Sequence, residues 1–258
     1  VSVAIVISSF FLGLALGSHL AGRMTWLRSR IATYALLEVC IGLSALVLLP
    51  ILLNLDVVLA LAPAFGSSLV LKAALCLALL ILPTTAMGAT FPVAAALLEN
   101  RSGHTGRQIS RLYSLNTLGA VLGATLSGLW IIPELGLDGA VYLAAAVNLA
   151  IAALAFALSR SGDGYPGTAT LPALDTALRP AYRTPALITL ALTGVVSIAA
   201  QVGWTKFLVI YIGSTISGLS IILAVFLAGI AMGAWLMGRR IATLTSPAAV
   251  MVTLLAAL

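Results

Sequence analysis

A carboxylate at position 38 is the residue in this sequence most able to do chemistry where chemistry is costly. Glu38 lies in an unbroken apolar stretch, Ile31 to Leu53, about two turns from its arginine-flanked end. In hydrocarbon, a charged group needs a cavity, a counter-charge or a proton. Two roles are open to Glu38: binding a cationic or proton ligand, or serving as partner to a polar group on a neighbouring helix. Tyr113, Asn116, Ala120, Gly123 and Ser127 recur at three- and four-residue spacing, which places them on one helical face. Ser197, Gln201, Trp204 and Thr205 share a second face, followed by Lys206. Glu38, Tyr113, Asn116, Gln201, Trp204 and Lys206 are therefore the candidates for lining a cavity. Lys206 is equally suited to snorkelling toward the membrane interface.

Glycines form a second set. Gly13 and Gly17 make a G-x-x-x-G, as do Gly229 and Gly233, and Gly119 and Gly123, the last continued by Ala124 and Gly128. Small faces of this kind let helices approach closely in lipid. They suit either static packing or a sliding contact, with Gly22–Arg23 and Gly238–Arg239 at the turn that follows.

No nucleotide loop, zinc signature, redox CxxC or nucleophile elbow is present, so no catalytic residue, metal site or cofactor is expected in these residues. Cys40 and Cys76 sit inside apolar runs and read as small buried hydrophobes. His19 falls at a helix end and His104 between Arg101 and Arg107, where solvation is the expected state.

Composition dictates the elements that hold these residues. Of 258 residues, 62% are hydrophobic and 8% charged, and mean hydropathy is +1.18. Soluble domains carry about 25% charged residues, so lipid must cover most of this surface. The apolar runs are long and unalternating, which favours spanning helices over a β-barrel. The net charge of +6 does not mark a nucleic-acid surface, because the basic residues are scattered through short loops.

Eight segments are expected: Ser2–Ala21, Ile31–Leu53, Ser68–Thr90, Ile109–Ile132, Asp138–Leu158, Pro185–Tyr211, Ser217–Met237 and one starting near Pro247. Pro83-Thr84-Thr85 should kink the third, with threonine hydroxyls serving the freed carbonyls, and Pro92 should end or bend it. Eleven of the 13 basic residues fall on alternate loops: Arg23, Arg28 and Arg30; Arg101, Arg107 and Arg111; Arg160, Arg179 and Arg183; Arg239 and Arg240. The intervening loops carry Asp56, Glu134 and Asp138. The positive-inside rule makes the arginine loops cytoplasmic.

The chain also repeats. Shifted by 216 residues, Phe10, Gly13, Ala15, Gly17, Leu20, Gly22 and Arg23 fall on Phe226, Gly229, Ala231, Gly233, Leu236, Gly238 and Arg239. Both copies run toward an arginine loop, a parallel repeat of the kind that builds major-facilitator transporters. The expected architecture is an all-α, polytopic, major-facilitator-like bundle with two parallel-repeat halves. Residues 1–158 form the first half (helices two to six), 159–184 a cytoplasmic linker rich in Gly, Pro, Ser and Thr, and 185–258 the start of the second half (helices seven to nine). On that count both ends are truncated, with one helix before Val1 and about three after Leu258.

Three stretches carry a family resemblance: Leu82–Val93, Gly106–Leu137 and Ala200–Gly238. The strings P-T-x-x-M-G-A-T-x-P (Pro83 to Pro92) and L-Y-x-x-N-T-x-G-A-x-x-G (Leu112 to Gly123) resemble the membrane region of bacterial fused major-facilitator/spermidine synthase proteins. The resemblance implies a multi-pass inner-membrane protein connected with polyamines. It also implies a soluble aminopropyltransferase-like domain after the membrane part, none of which lies in these residues. On the seventh helix the family pattern E-x-x-W-x-R is replaced by Gln201-Val202-Gly203-Trp204-Thr205-Lys206, so any cation-binding carboxylate of relatives is lost there. The expectations are a polyamine-related transport or channelling domain, a non-transporting scaffold or accessory subunit, or an anchor for that further domain. The expected partners are lipid and other membrane subunits, with no nucleic acid.

Overall fold

The computed structural model describes residues 2–23, 31–61, 68–99, 105–160 and 180–240. These are all-helical among the described residues: α1 Ser2–Arg23, α2 Ile31–Leu53, α3 Leu55–Leu61, α4 Leu69–Glu99, α5 Thr105–Leu126, a π-helical turn Ser127–Ile131, α6 Ile132–Arg160, α7 Pro180–Ile212 and α8 Ile216–Arg240. Leucine and alanine dominate the long helices, which close their backbone hydrogen bonds internally. That is the condition for an unsupported segment in lipid.

Among the described residues, six helical stretches are long and apolar enough to cross a membrane. One of them, Gln108–Arg160, has 53 residues. At 1.5 Å per residue it would extend about 80 Å, against a hydrocarbon core of about 30 Å. By length it therefore comprises two spans, parted at Gly136, whose φ of 71° and ψ of 178° break the helix. That backbone region is essentially closed to residues with a Cβ. Glu134 and Asp138 stand on either side of Gly136. The protein is thus a multi-pass helical membrane protein.

Segment ends differ from expectation in informative places. Pro83 and Pro92 both lie inside α4, which continues to Glu99. Spanning helices tolerate proline when other groups take up the freed carbonyls. The hydroxyl of Thr84 donates to the Leu80 carbonyl at 2.6 Å, one position beyond the Leu79 carbonyl that Pro83 frees. The short α3 is an addition to the expected segments. The eighth segment near Pro247, His104 and most of the 159–184 linker lie outside the described residues. Ser159 and Arg160 end α6, and residues 180–184 begin α7.

The helices form two compact units. Unit 1 holds residues 1–101 and 135–169, with α1 and α2 packed on α4. Unit 2 holds residues 102–134 and 170–258, with α5 and the π turn packed on α8, and α7 beside α8. This grouping by contact places α5 with α7 and α8, whereas the sequence division follows the repeat.

In unit 1, the seam between α1 and α4 is made by glycines. A methyl at Gly13 would overlap the Thr84 side chain, one at Gly17 the Thr85 carbonyl, and one at Gly88 the backbone of Leu14. Ser9, Gly13, Gly17 and Ala21 are buried at four-residue intervals along α1, a single stripe.

In unit 2, the π turn follows from Pro133. The Ile132 N–H bonds the Ser127 carbonyl, and the next donor that could reach the Gly128 carbonyl belongs to Pro133, which has none. Ser217 on α8 supplies the missing donor, its hydroxyl 2.9 Å from the Gly128 carbonyl. Further along the seam, Ser110 donates to the Ala234 carbonyl at 2.6 Å. The turn into α8 uses Gly213 at a φ of 89°, then Thr215, whose hydroxyl accepts the Gly218 N–H at 3.0 Å as an N-cap.

Candidate functional site

In unit 1, the buried stripe of α2 contains Ala35, Glu38, Gly42 and Leu49. Gly42 sits where a Cβ would meet Leu149 and the Ala145 carbonyl of α6, which aims the stripe into the packed side of the unit. Glu38 is 6% exposed. One turn back, the Tyr34 hydroxyl hydrogen-bonds the Glu38 carboxyl group. This i, i+4 pair supplies one donor to a group with room for several. Among the described residues no ion pair reaches Glu38. The arrangement can hold a proton, or accept a cationic donor from a ligand or a neighbouring chain.

Other buried polar groups on these helices are closed on themselves. Ser44 donates to Ile41, Ser114 to Ser110, Thr117 to Tyr113 and Thr125 to Val121, all onto carbonyls of their own helices at 2.8 Å. Back-bonding of this kind hides a hydroxyl from lipid and leaves little for a ligand. Thr85 differs, since its buried hydroxyl oxygen has no hydrogen-bond partner among the described residues.

The remaining cavity candidates fall in unit 2. Tyr113 and Asn116 are exposed on α5. Gln201 is half-buried, while Trp204 and Lys206 are exposed, all on α7. Trp204 meets Phe207 edge-on at 6.1 Å, and Phe207 meets Tyr211 at 5.4 Å, forming an aromatic run toward the end of α7. Aromatics and a lysine in that position suit the membrane interface. Glu38 belongs to one unit and Asn116 and Gln201 to the other.

The face chosen on α5 from spacing is therefore not its packed face. The buried residues are Ser114 and Thr117, with Ser110 and Gly128 against α8. The sequence does hold a signal for this, hydroxyls and a glycine at helical spacing, but it competes with the equally regular Tyr113–Asn116–Gly123 face. Gly119 and Gly123 meet nothing within 4 Å among the described residues, and neither do Gly229 and Gly233. Close approach occurs at Gly13 and Gly17 of the G-x-x-x-G pairs, and also at Gly238, outside them, where a Cβ would overlap Ser110. Gly22 and Arg23 are exposed.

A second feature of unit 2 has no counterpart among the sequence expectations. A cavity of about 630 Å³ lies between α5 and α8. Arg111 and Arg239 line it together with Leu115, Leu118, Met232 and Trp235. The Arg239 guanidinium stacks 3.7 Å from the centroid of the Trp235 ring. Among the described residues no group of His, Cys, Asp and Glu is placed to hold a metal ion. No protein-family model, curated protein or solved structure matches the chain.

Proposed function

We propose that this chain is the membrane domain of a major-facilitator-like protein of the fused spermidine-synthase type, acting in polyamine transport or channelling across a bacterial inner membrane. The observation that carries this reading is Glu38, a carboxylate buried within a membrane span and partnered by one tyrosine. A cationic amine offers such a group what lipid withholds, a counter-charge and several N–H donors. The parallel repeat of α1 and α8, the two sequence strings shared with that family and the arginine loops, cytoplasmic by the positive-inside rule, support the same reading. No step of aminopropyl transfer is assigned to these residues; such chemistry would belong to a further domain.

The test is uptake of labelled spermidine into proteoliposomes holding the full chain. Saturable uptake is expected, with a loss of at least about tenfold in Glu38→Gln, the worth of one charge-assisted contact. Absence of flux with the unaltered protein overturns the transport reading.

A second reading is a scaffold or accessory subunit of a larger membrane complex, or an anchor for an attached enzyme. It is favoured by α7, on which no described residue is buried and where Ile210 is 77% exposed. A stable partner retained through detergent extraction would favour it over transport, and a monodisperse monomer would count against it.

A further inference from the structure

We propose that the cleft between α5 and α8 is a binding site for an anionic phospholipid, with its phosphate held by Arg111 and Arg239 and an acyl chain lying on Leu115, Leu118 and Met232. This does not rest on the transport reading.

The charge pattern is the first ground. Two arginines line one cavity, and no carboxylate residue is among its described lining residues. Arg239 sits over the Trp235 ring, its Cζ 3.7 Å from the centroid, a contact that holds the guanidinium without neutralising it and uses none of its N–H donors on the ring edge. Two guanidiniums so placed favour an oxyanion with several acceptors, as phosphate has.

The polar groups near them are already spent as donors. Ser110 donates to Ala234, and Ser114 donates to Ser110. Recognition therefore falls to the arginines, which select charge.

Depth and opening are the second ground. Arg239 is in the last turn of α8 and Arg111 in the second turn of α5, so both mark the same end of this antiparallel pair. From Arg111 to Leu118 the helix descends about 10 Å, and from Arg239 to Ala228 about 16 Å, toward the middle of the spans. The cavity thus has a cationic mouth at headgroup level and an apolar floor at acyl-chain level. Leu115 and Met232 remain 57% and 61% exposed, so the groove opens sideways along the spanning helices. A site open in that direction is reached from the bilayer. A free phosphate ion would gain nothing from its floor.

The full chain, purified in a neutral detergent, is melted with phosphatidylglycerol, phosphatidylcholine or soluble glycerol phosphate added. Phosphatidylglycerol should raise the midpoint by about 5 °C at a hundredfold excess over its dissociation constant, and the other two should not. The Arg111→Gln/Arg239→Gln double variant should lose the shift. Equal shifts from both lipids, an equal shift from glycerol phosphate, or a shift that survives the double substitution would overturn the proposal. Should the double variant fail to fold, Trp235 reports directly. In a chain with Trp26, Trp130 and Trp204 replaced by Phe, phosphatidylglycerol with brominated acyl chains should quench Trp235 more strongly than the brominated phosphatidylcholine. Unbrominated phosphatidylglycerol should relieve that quenching. Equal quenching by the two headgroups would also overturn it.

Discussion

Helices α1 and α8 carry the same string of residues and bury opposite sides of it. On α1 the buried stripe is Ser9, Gly13, Gly17 and Ala21, and the two glycines of the motif touch α4. On α8 the buried positions include Ala224, Ala231 and Gly238, with Ala231 and Gly238 toward α5, while Gly229 and Gly233 are open among the described residues. Ala231 is two residues from either glycine, which is about 200° around a helix. The motif gives α8 two faces small enough for close approach, and the neighbour present decides which is used. A small-residue pattern is therefore a permission to pack, not an instruction about where.

That difference can be broken experimentally. Gly17→Val should have the largest effect, because its side chain would enter the Thr85 backbone and α1 would have to leave α4. Overpacking against a backbone that cannot yield should cost about 3 kcal/mol or more, read as a lowered unfolding midpoint on titrating the detergent-solubilised protein with dodecyl sulfate. Next is Ser217→Ala, which leaves the Gly128 carbonyl without its donor. An expected loss of about 1 kcal/mol in the same titration follows from the modest worth of interhelical hydrogen bonds in membranes. An unchanged midpoint would mean that the π turn is satisfied another way.

Thr85→Val should move the protein in the other direction. It replaces a buried hydroxyl that has no partner among the described residues with a methyl of the same shape, for a gain of up to about 1 kcal/mol. A loss instead would reveal a partner for that hydroxyl. The smallest effect is expected at the open glycines. Gly229→Ala and Gly233→Ala should stay within about 0.5 kcal/mol, since each added methyl meets nothing and alanine favours the helix. A large loss there would show that a further helix covers this face in the whole protein, and the contrast between α1 and α8 would disappear.

Legibility in the sequence varies by feature. The break near Gly136 is readable, because Pro133, Glu134, Gly136 and Asp138 interrupt an apolar run too long for one crossing. The position of Glu38 inside a spanning segment is readable too, from the apolar run around it, whereas its burial against the rest of the unit is not. The inward face of α5 is not. Both of its faces carry small and polar residues at helical spacing, so periodicity cannot choose between them. The cleft with Arg111 and Arg239 is equally hidden, because the two residues lie in separate loops by sequence and there serve only as markers of orientation.

The sequence by itself determined that lipid surrounds these helices, how many of the described segments are long enough to cross, and where the chain must turn. Those outcomes depend on transfer free energy and backbone hydrogen bonding, which act residue by residue along the chain. Only the tertiary structure decided which glycine faces are closed, which hydroxyl serves the carbonyl orphaned by Pro133, and which arginines share a cavity. Each of those depends on which helix lies alongside, and hydrocarbon, being indifferent among apolar faces, leaves that choice to shape and to a few polar contacts.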